Sequence, residues 1–229
     1  MTTLKTKGMW AVVPVKRLQD SKTRLHTMLD SAQRARFTLT MVHDVLEQLA
    51  DVKSLAGVCV LSDDESVLKL ATQLGVRIWS EDAGELNSGL QAVKDRLAAD
   101  GFGLMVIPCD VPAARTEDYQ QLLSGHREGV TLVGASVDGG TNALLCDAGL
   151  NLSFHYGMGS FEAHSHEATN HGIPLSIAEI PRLQRDIDRP TDMEWLINSD
   201  NNCRAQDYLF RLFPEPGRIS PDNSSGRAA

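Results

Sequence analysis

The sequence predicts an α/β protein with a mainly parallel central sheet and one antiparallel hairpin. In the first half of the chain, short apolar runs alternate with segments of helical periodicity, which is typical of a parallel sheet covered by helices. Two later strand-like runs are separated by an Asp-Gly-Gly turn, which indicates a hairpin. The run at 104–107 is followed by a carboxylate, Asp110, and ligands of open α/β sheets bind at that edge.

Each element follows from the local pattern of apolar residues. The runs predicted as strands are 9–15, 55–61, 76–79, 104–107, 130–136, 142–146 and 175–180. The segments predicted as helices are 31–50, 65–74, 86–97, 116–123, 160–169 and, as the final helix, 191–198. Asp30 or Ser31 can cap the first helix, and Gly75 stands where a helix commonly ends.

Size and composition limit the possible classes of protein. The 229 residues suit a single domain over 1–213, and the Pro, Gly, Ser and Asn content of 214–229 predicts a disordered tail. The net charge of −8 argues against nucleic-acid binding by bulk attraction. Neither a membrane span nor a signal peptide is expected, because no apolar run is long enough. Four widely spaced cysteines without a CxxC pair suit a cytoplasmic location.

A basic loop follows the first strand and is the first candidate site. It contains Lys16, Arg17, Lys22 and Arg24. Four cations at the carboxyl end of a strand can form a cradle for phosphate groups, although a solvated charged loop has the same composition. Neither GxxxxGK[ST] nor GxGxxG occurs, so the sequence supports neither a P-loop nor a classical dinucleotide site.

Three carboxylates form the second candidate site. Asp110 follows a strand, and Asp186 and Asp188 stand in a turn before the predicted final helix. Hard oxygen ligands of this kind suit Mg²⁺, which shares its remaining coordination with substrate phosphates. Beside a basic loop, they favour phosphoryl or nucleotidyl transfer. The alternative is that Asp110 serves as a cap or turn residue, and that Asp186 and Asp188 cap the final helix.

Two glycine-containing blocks and a group of histidines complete the candidates. Gly139-Gly-Thr-Asn142 and Gly157-Met-Gly-Ser160 can bring backbone N–H groups close to an anion, or they can be ordinary tight turns. His155, His164, His166 and His171 lie close together in sequence. Without a nearby cysteine or an HExxH motif they give little support to zinc, which leaves packing roles or contact with an anionic substrate.

Together these segments resemble the guanylyltransferases that make the deazaflavin coenzyme F-420. Those enzymes transfer GMP from GTP to a three-carbon phosphoacid. The similar segments are 12–18, 21–25, 85–87, 109–112, 139–145, 156–164 and 186–190, within a region of about 9–198. The Gly-Gly-Thr-Asn and Gly-x-x-Ser-Phe blocks are the specific ones, and the tail beyond about Cys203 lies outside the resemblance.

The resemblance implies a fold, a cofactor, substrates and residue roles. The fold would be a Rossmann-like, GT-A-type nucleotidyltransferase fold, the cofactor Mg²⁺, and the substrates GTP and a small phosphorylated carboxylic acid. The implied roles are catalysis by Lys22, Arg17 and Asp110, nucleotide binding by Arg17, Lys22, Arg24, Leu86 and Asn87, acceptor binding by Thr141, Gly157 and Ser160, and metal binding by Asp110, Asp186 and Asp188. A homodimer is compatible with the family, but no residue argues for it.

Other interpretations remain open at this point. One alternative is a small nucleotidyltransferase of the molybdenum-cofactor or sugar-phosphate type. Such enzymes usually carry a Gly-rich loop after the first strand, where this chain has Val-Pro-Val-Lys-Arg, and this difference counts against them. A non-catalytic nucleotide-binding module is the second alternative, and the acidic residues together with the basic loop argue against it. The acceptor can be 2-phospho-L-lactate, phosphoenolpyruvate or 3-phospho-D-glycerate.

Overall fold

The computed structural model describes residues 6–80, 85–135 and 139–214. Its strands are β1 (Met9–Pro14), β2 (Leu55–Leu61), β3 (Arg77–Trp79), β4 (Gly103–Val106), β5 (Val130–Gly134), β6 (Thr141–Cys146) and β7 (Leu175–Ile177). Its helices are α1 (Ser31–Ala50), α2 (Glu65–Gln73), α3 (Leu86–Ala99), α4 (Thr116–Gly125), α5 (Ser160–Asn170), α6 (Pro190–Asn198) and α7 (Arg204–Leu212). Two 3₁₀ turns, Leu18–Asp20 and Thr23–Leu25, follow β1.

The strands of the described ranges form one sheet in the order β3-β2-β1-β4-β6-β5-β7. Neighbouring strands are parallel except where β6 pairs with β4 and β5, to both of which it is antiparallel. The prediction of a mainly parallel sheet with an antiparallel hairpin is therefore confirmed. Because β6 runs against β4, the first residues of β6 lie at the same edge of the sheet as the end of β4.

Helices cover both faces of this sheet. The side chains of Ala11 and Val13 pack with α1, α2 and α4, whereas Val12 packs on the opposite face with α3 and α5. This alternation follows from the two-residue period of a strand. A third apolar cluster joins α1 to α6 and α7. Within the described ranges, no helix has both the length and the apolar character needed to cross a membrane.

The C-terminal part of the structure corrects the sequence prediction. The strand predicted at 175–180 ends at Ile177, and the helix predicted at 191–198 begins at Pro190. That helix is not the final one, because α7 follows it. The N-terminus of α7 is capped by Asp44 of α1, whose carboxylate accepts two backbone N–H groups of α7 at 3.0 and 2.8 Å. A cap from so distant a residue leaves no local signal. The tail predicted to be disordered lies, from residue 215 onward, outside the described residues.

Candidate active site

The candidate site lies at the carboxyl edge of the sheet, where several distant segments meet. Lys22 follows β1, Asp110 follows β4, and the turn at 186–188 precedes α6. The backbone N–H of Ile187 donates to the carbonyl oxygen of Asp110 at 2.9 Å, which holds the two acidic segments side by side. Thr141, the first residue of β6, reaches the same edge because that strand is reversed. Most of these residues line a cleft of about 340 Å³.

Lys22 is the buried centre of a charge cluster. Its ammonium donates to Asp110, and it lies 3.4 Å from a carboxylate oxygen of Asp188. Arg24 forms a second ion pair with Asp188. Burial alone would lower the pKa of Lys22, but the two carboxylates outweigh it and raise that pKa. Burial would likewise raise the pKa of Asp188, and the two cations lower it instead. The lysine is therefore charged, although its side chain is only 6% exposed.

The backbone of Lys22 is held in an unusual conformation. Its φ of +52° lies in the left-handed region, which costs a residue with a side chain about 1 kcal/mol. The conformation allows the second 3₁₀ turn to start there and directs the ammonium to the acids. A strained residue at a charge cluster is typical of a functional site.

In the part of the chain that the structure describes, one oxygen of the acidic residues is free for a hard divalent cation, although Lys22 lies between Asp110 and Asp188. One carboxylate oxygen of Asp110 is buried and lacks a hydrogen-bond partner among the described residues. Burial, followed by the charge of Asp110, raises the pKa of Asp186, and a hydrogen bond from Asn142 opposes this. A cation would satisfy the unpaired oxygen and offset the repulsion. Within the described ranges, no three acidic, histidine or cysteine side chains converge as a ready-made metal cage.

The contacts contradict only one part of the alternative: Asp186 and Asp188 do not cap α6, whereas Asp110 does stand in a turn. The residue that caps α6 is Arg189, and the carboxylate of Asp192 accepts the backbone N–H groups of Asp188 and Arg189. The side chain of Asp188 is engaged by cations instead. Asp110 likewise pairs with Lys22 rather than with a helix end.

The basic loop divides into two groups. Lys22 and Arg24 reach the acidic cluster, and Lys16 lines the cleft. Arg17 instead donates to Asp63 at 3.0 and 3.1 Å, with its side chain 69% exposed. The structure thus does not bring Arg17 to the other cations, and its role toward a nucleotide remains a prediction.

The residues predicted near the nucleoside lie on the other wall of the cleft. Leu86 lines it directly. The side chain of Asn87 accepts from the backbone N–H of Tyr156 at 2.8 Å and donates to its carbonyl at 3.2 Å. Asn87 therefore holds the loop that presents Tyr156. The hydroxyl of Tyr156 is buried and has no hydrogen-bond partner among the described residues, and its ring lines the cleft.

The predicted acceptor-binding residues are partly assembled. The hydroxyl oxygens of Thr141 and Ser160 lie 3.2 Å apart and are buried. Gly157 has a φ of +150°, and a Cβ there would meet nothing within 4 Å, so its backbone conformation, not crowding, favours glycine. It begins the turn that leads into α5, where Gly159 is the residue before the helix.

A family model now decides the classification. The model described as "Guanylyl transferase CofC like" matches residues 9–226. The chain belongs to this guanylyltransferase family. The match extends beyond the predicted end near residue 198, so the segment after Cys203 lies inside the family region, which corrects the sequence-based boundary.

Similar proteins agree with this classification. The guanylyltransferase chain is 35% identical over 208 residues to a phosphoenolpyruvate guanylyltransferase of Roseiflexus castenholzii, covering 89% of this chain and 96% of that protein. It is 30% identical over 203 residues to a 2-phospho-L-lactate guanylyltransferase of Methanothermobacter thermautotrophicus, covering 88% and 90%.

Solved structures show the fold. A protein from Desulfovibrio desulfuricans G20, provisionally named a nucleotide-diphospho-sugar transferase, aligns with a TM-score of 0.72 at 14% identity, covering 90% of this chain and 95% of that chain. A nucleotidyl transferase from Methanothermobacter aligns with a TM-score of 0.56 at 16% identity, covering 90% and 99%. The predicted Rossmann-like nucleotidyltransferase fold is thereby confirmed.

The guanylyltransferase structure brings to the site three residues to which the sequence gave no specific role, although His164 was among the histidines considered for substrate contact and Asn142 ends one of the glycine-containing blocks. Asn142 donates to Asp186 at 3.2 Å, Tyr156 lines the cleft, and His164 contacts Thr141. All three lie inside the blocks that carry the resemblance, which was the available signal. Their contacts bridge β6, α5 and the acidic turn, so spacing along the chain does not reveal them.

Proposed function

We propose that this chain transfers GMP from GTP to a three-carbon phosphorylated carboxylic acid and releases pyrophosphate, as a cytoplasmic step of coenzyme F-420 biosynthesis. The cluster of the buried Lys22 side chain with the half-buried Asp110 and Asp188 in the cleft is the observation that carries this proposal. The names of the relatives, which specify phosphoenolpyruvate and 2-phospho-L-lactate, support the class of acceptor.

The reaction requires positioning and charge neutralisation more than a strong base. A phosphate oxygen of the acceptor is already anionic at neutral pH, so it can attack the α-phosphorus of GTP directly. The new P–O bond forms as the bond to the bridging β-phosphate oxygen breaks, and pyrophosphate leaves with that electron pair. Lys22 stays protonated in its buried setting, so it can bind phosphate oxygens as a fixed cation.

The acidic residues have a separate role in this proposal. Asp110, Asp186 and Asp188 would hold Mg²⁺, and the unpaired buried oxygen of Asp110 supports that assignment. When bound, such an ion neutralises phosphate charge that builds up during transfer. Among the protein's own groups, Lys22 and Arg24 keep Asp188 ionised, and the amide of Asn142 donates to Asp186.

The first test is release of pyrophosphate from GTP and Mg²⁺ with each candidate acid in turn. The acids are 2-phospho-L-lactate, phosphoenolpyruvate and 3-phospho-D-glycerate. The product is a mixed phosphoanhydride, so a downstream enzyme should consume it as it forms. Release with one acid and not with the others identifies the acceptor. Silence with all three, while GTP still binds, would contradict the proposal and favour another nucleotidyl transfer or a non-catalytic module.

The metal assignment has a separate test in Asp110→Asn. This change keeps the shape of the side chain but removes the charge, so we expect most of the pyrophosphate release to be lost while the melting temperature stays near that of the wild type. Asp95→Asn is the matched control, because that carboxylate is on α3 and 65% exposed outside the cleft lining. Unchanged turnover in Asp110→Asn would refute the role of this carboxylate.

A further inference from the structure

His164 is a fully buried histidine with none of the roles assigned so far. It lies on α5 with no exposed surface. Its Nε2 lies 2.9 Å from the backbone nitrogen of His155, and its Nδ1 lies 3.0 Å from the hydroxyl oxygen of Thr141. The ring of Tyr156 packs edge-on against it, with 4.8 Å between centroids. The imidazole is thus held from three sides directly behind an acceptor-binding residue.

These contacts determine which ring nitrogen carries the proton. A backbone N–H can only donate, so Nε2 must accept from His155 and cannot itself be protonated. Burial, together with the nearby His155, lowers the pKa of His164 to about 4, so the ring is neutral near pH 7. A neutral imidazole keeps one proton, which must then be on Nδ1 and point to Thr141.

The same reasoning fixes the direction of the Thr141 hydroxyl. Its oxygen accepts from Nδ1 of His164 at 3.0 Å and from the hydroxyl of Ser160 at 3.2 Å. A hydroxyl oxygen has two lone pairs, so both are occupied. No acceptor for its own proton lies among the residues that the structure describes. Thr141 lines the cleft, which leaves that proton available to a ligand.

We propose that His164 is a positioning residue, which with Ser160 makes the Thr141 hydroxyl an obligate hydrogen-bond donor toward an anionic oxygen of the acceptor. This inference rests on the proposed function, since it concerns how that acceptor is recognised. A hydroxyl that can only donate favours a carboxylate or phosphate oxygen. It disfavours a ligand that presents a donor there, because two donors would face each other.

The kinetic test compares His164→Phe with Thr141→Val. The phenylalanine keeps much of the ring volume without the hydrogen bonds. Each change should raise the KM for the acceptor acid by about 10-fold or more, since a hydrogen bond to a charged group contributes that much, and the KM for GTP should stay unchanged. The double variant should be no worse than Thr141→Val alone. His164→Asn should recover part of the loss, because its amide can donate in the place of Nδ1.

His166→Phe is the matched control, because that histidine is on the same helix with its side chain 71% exposed and should leave both KM values unchanged. A purely structural role of His164 predicts different results. The KM for GTP or kcat would change as much as the KM for the acid, the two effects would multiply in the double variant, and His164→Asn would rescue nothing. Any of these outcomes would overturn the proposal.

A spectroscopic measurement tests the geometry without turnover. In ¹⁵N-histidine-labelled protein, two-dimensional NMR should show His164 as the neutral Nδ1–H form from about pH 8 down to about pH 5. An Nε2–H form or a charged ring at pH 7 would refute the proposal. If the wild type releases no pyrophosphate with any of the three acids, the proposed function fails and acceptor recognition fails with it, while the NMR result still decides separately whether His164 donates from Nδ1 to Thr141.

Discussion

Replacing His164 with phenylalanine should make the stability of the fold less sensitive to acid. The folded protein lowers the pKa of this ring from 6.5 to about 4, mainly by burial and then by the charge of His155, with Glu167 opposing. In the unfolded chain the ring keeps its ordinary pKa. Between about pH 6.5 and 4 the unfolded chain therefore binds a proton that the folded chain does not. Stability conferred by the neutral ring is present above that window and is lost as the pH falls through it.

The size of this effect follows from the two pKa values. They differ by about 2.5, and each pKa unit corresponds to about 1.4 kcal/mol, so the full loss is about 3 kcal/mol at low pH. At pH 5 the unfolded ring is almost fully protonated and the folded ring is mostly neutral. The free energy of unfolding should therefore fall by about 2 kcal/mol between pH 7 and pH 5 on account of this residue alone.

The assay is urea unfolding of the wild type and His164→Phe at both pH values. His43 and His126 also have lowered pKa values, and Asp44 has a raised one, so only the difference between the two proteins isolates His164. The variant should be less stable at pH 7, because the N–H of His155 loses its acceptor. The difference in unfolding free energy between the wild type and the variant should be smaller by about 2 kcal/mol at pH 5. A difference in unfolding free energy that is equal at the two pH values would refute the reasoning.

Three further changes test contacts that hold the fold together. Asn87→Leu leaves two backbone groups of Tyr156 unpaired and should lower the free energy of unfolding by about 2 kcal/mol; an unchanged urea midpoint would contradict this. Gly103→Ala would put a methyl group against the Met9 sulfur and 2.9 Å from the carbonyl oxygen of Cys146, so the free energy of unfolding should fall by about 1–3 kcal/mol; an unchanged melting temperature in calorimetry would contradict this. Asp44→Ala removes the cap of α7 and should cost about 1 kcal/mol, seen as faster hydrogen exchange in that helix; normal protection there would argue against the cap.

Local sequence patterns predicted most of the secondary structure. Helix α1 was predicted with its observed bounds, and Asp30, one of its two candidate caps, accepts from the backbone of Gln33. The hairpin of β5 and β6 followed from its Asp-Gly-Gly turn and is observed as an antiparallel pair. Helix α7 was missed although Ala205, Leu209 and Leu212 stand at helical spacing; only its cap, which comes from α1, gave no local signal. Capping and the apolar periodicity of one element are short-range effects. The sequence predicts them wherever the capping residue is close in the chain.

The candidate site likewise has features that the local sequence determines and features that depend on distant residues. The sequence by itself determined the residue types at the sheet edge, namely a basic loop, three carboxylates and two glycine blocks. Only the tertiary structure decided that Lys22, not Arg17, lies between Asp110 and Asp188, which are 88 and 166 residues away from it. It also decided that the reversal of β6 brings Thr141 to that edge, where His164 can orient it. Contacts over such separations depend on strand order and direction, and the periodicity of one segment contains no information about either.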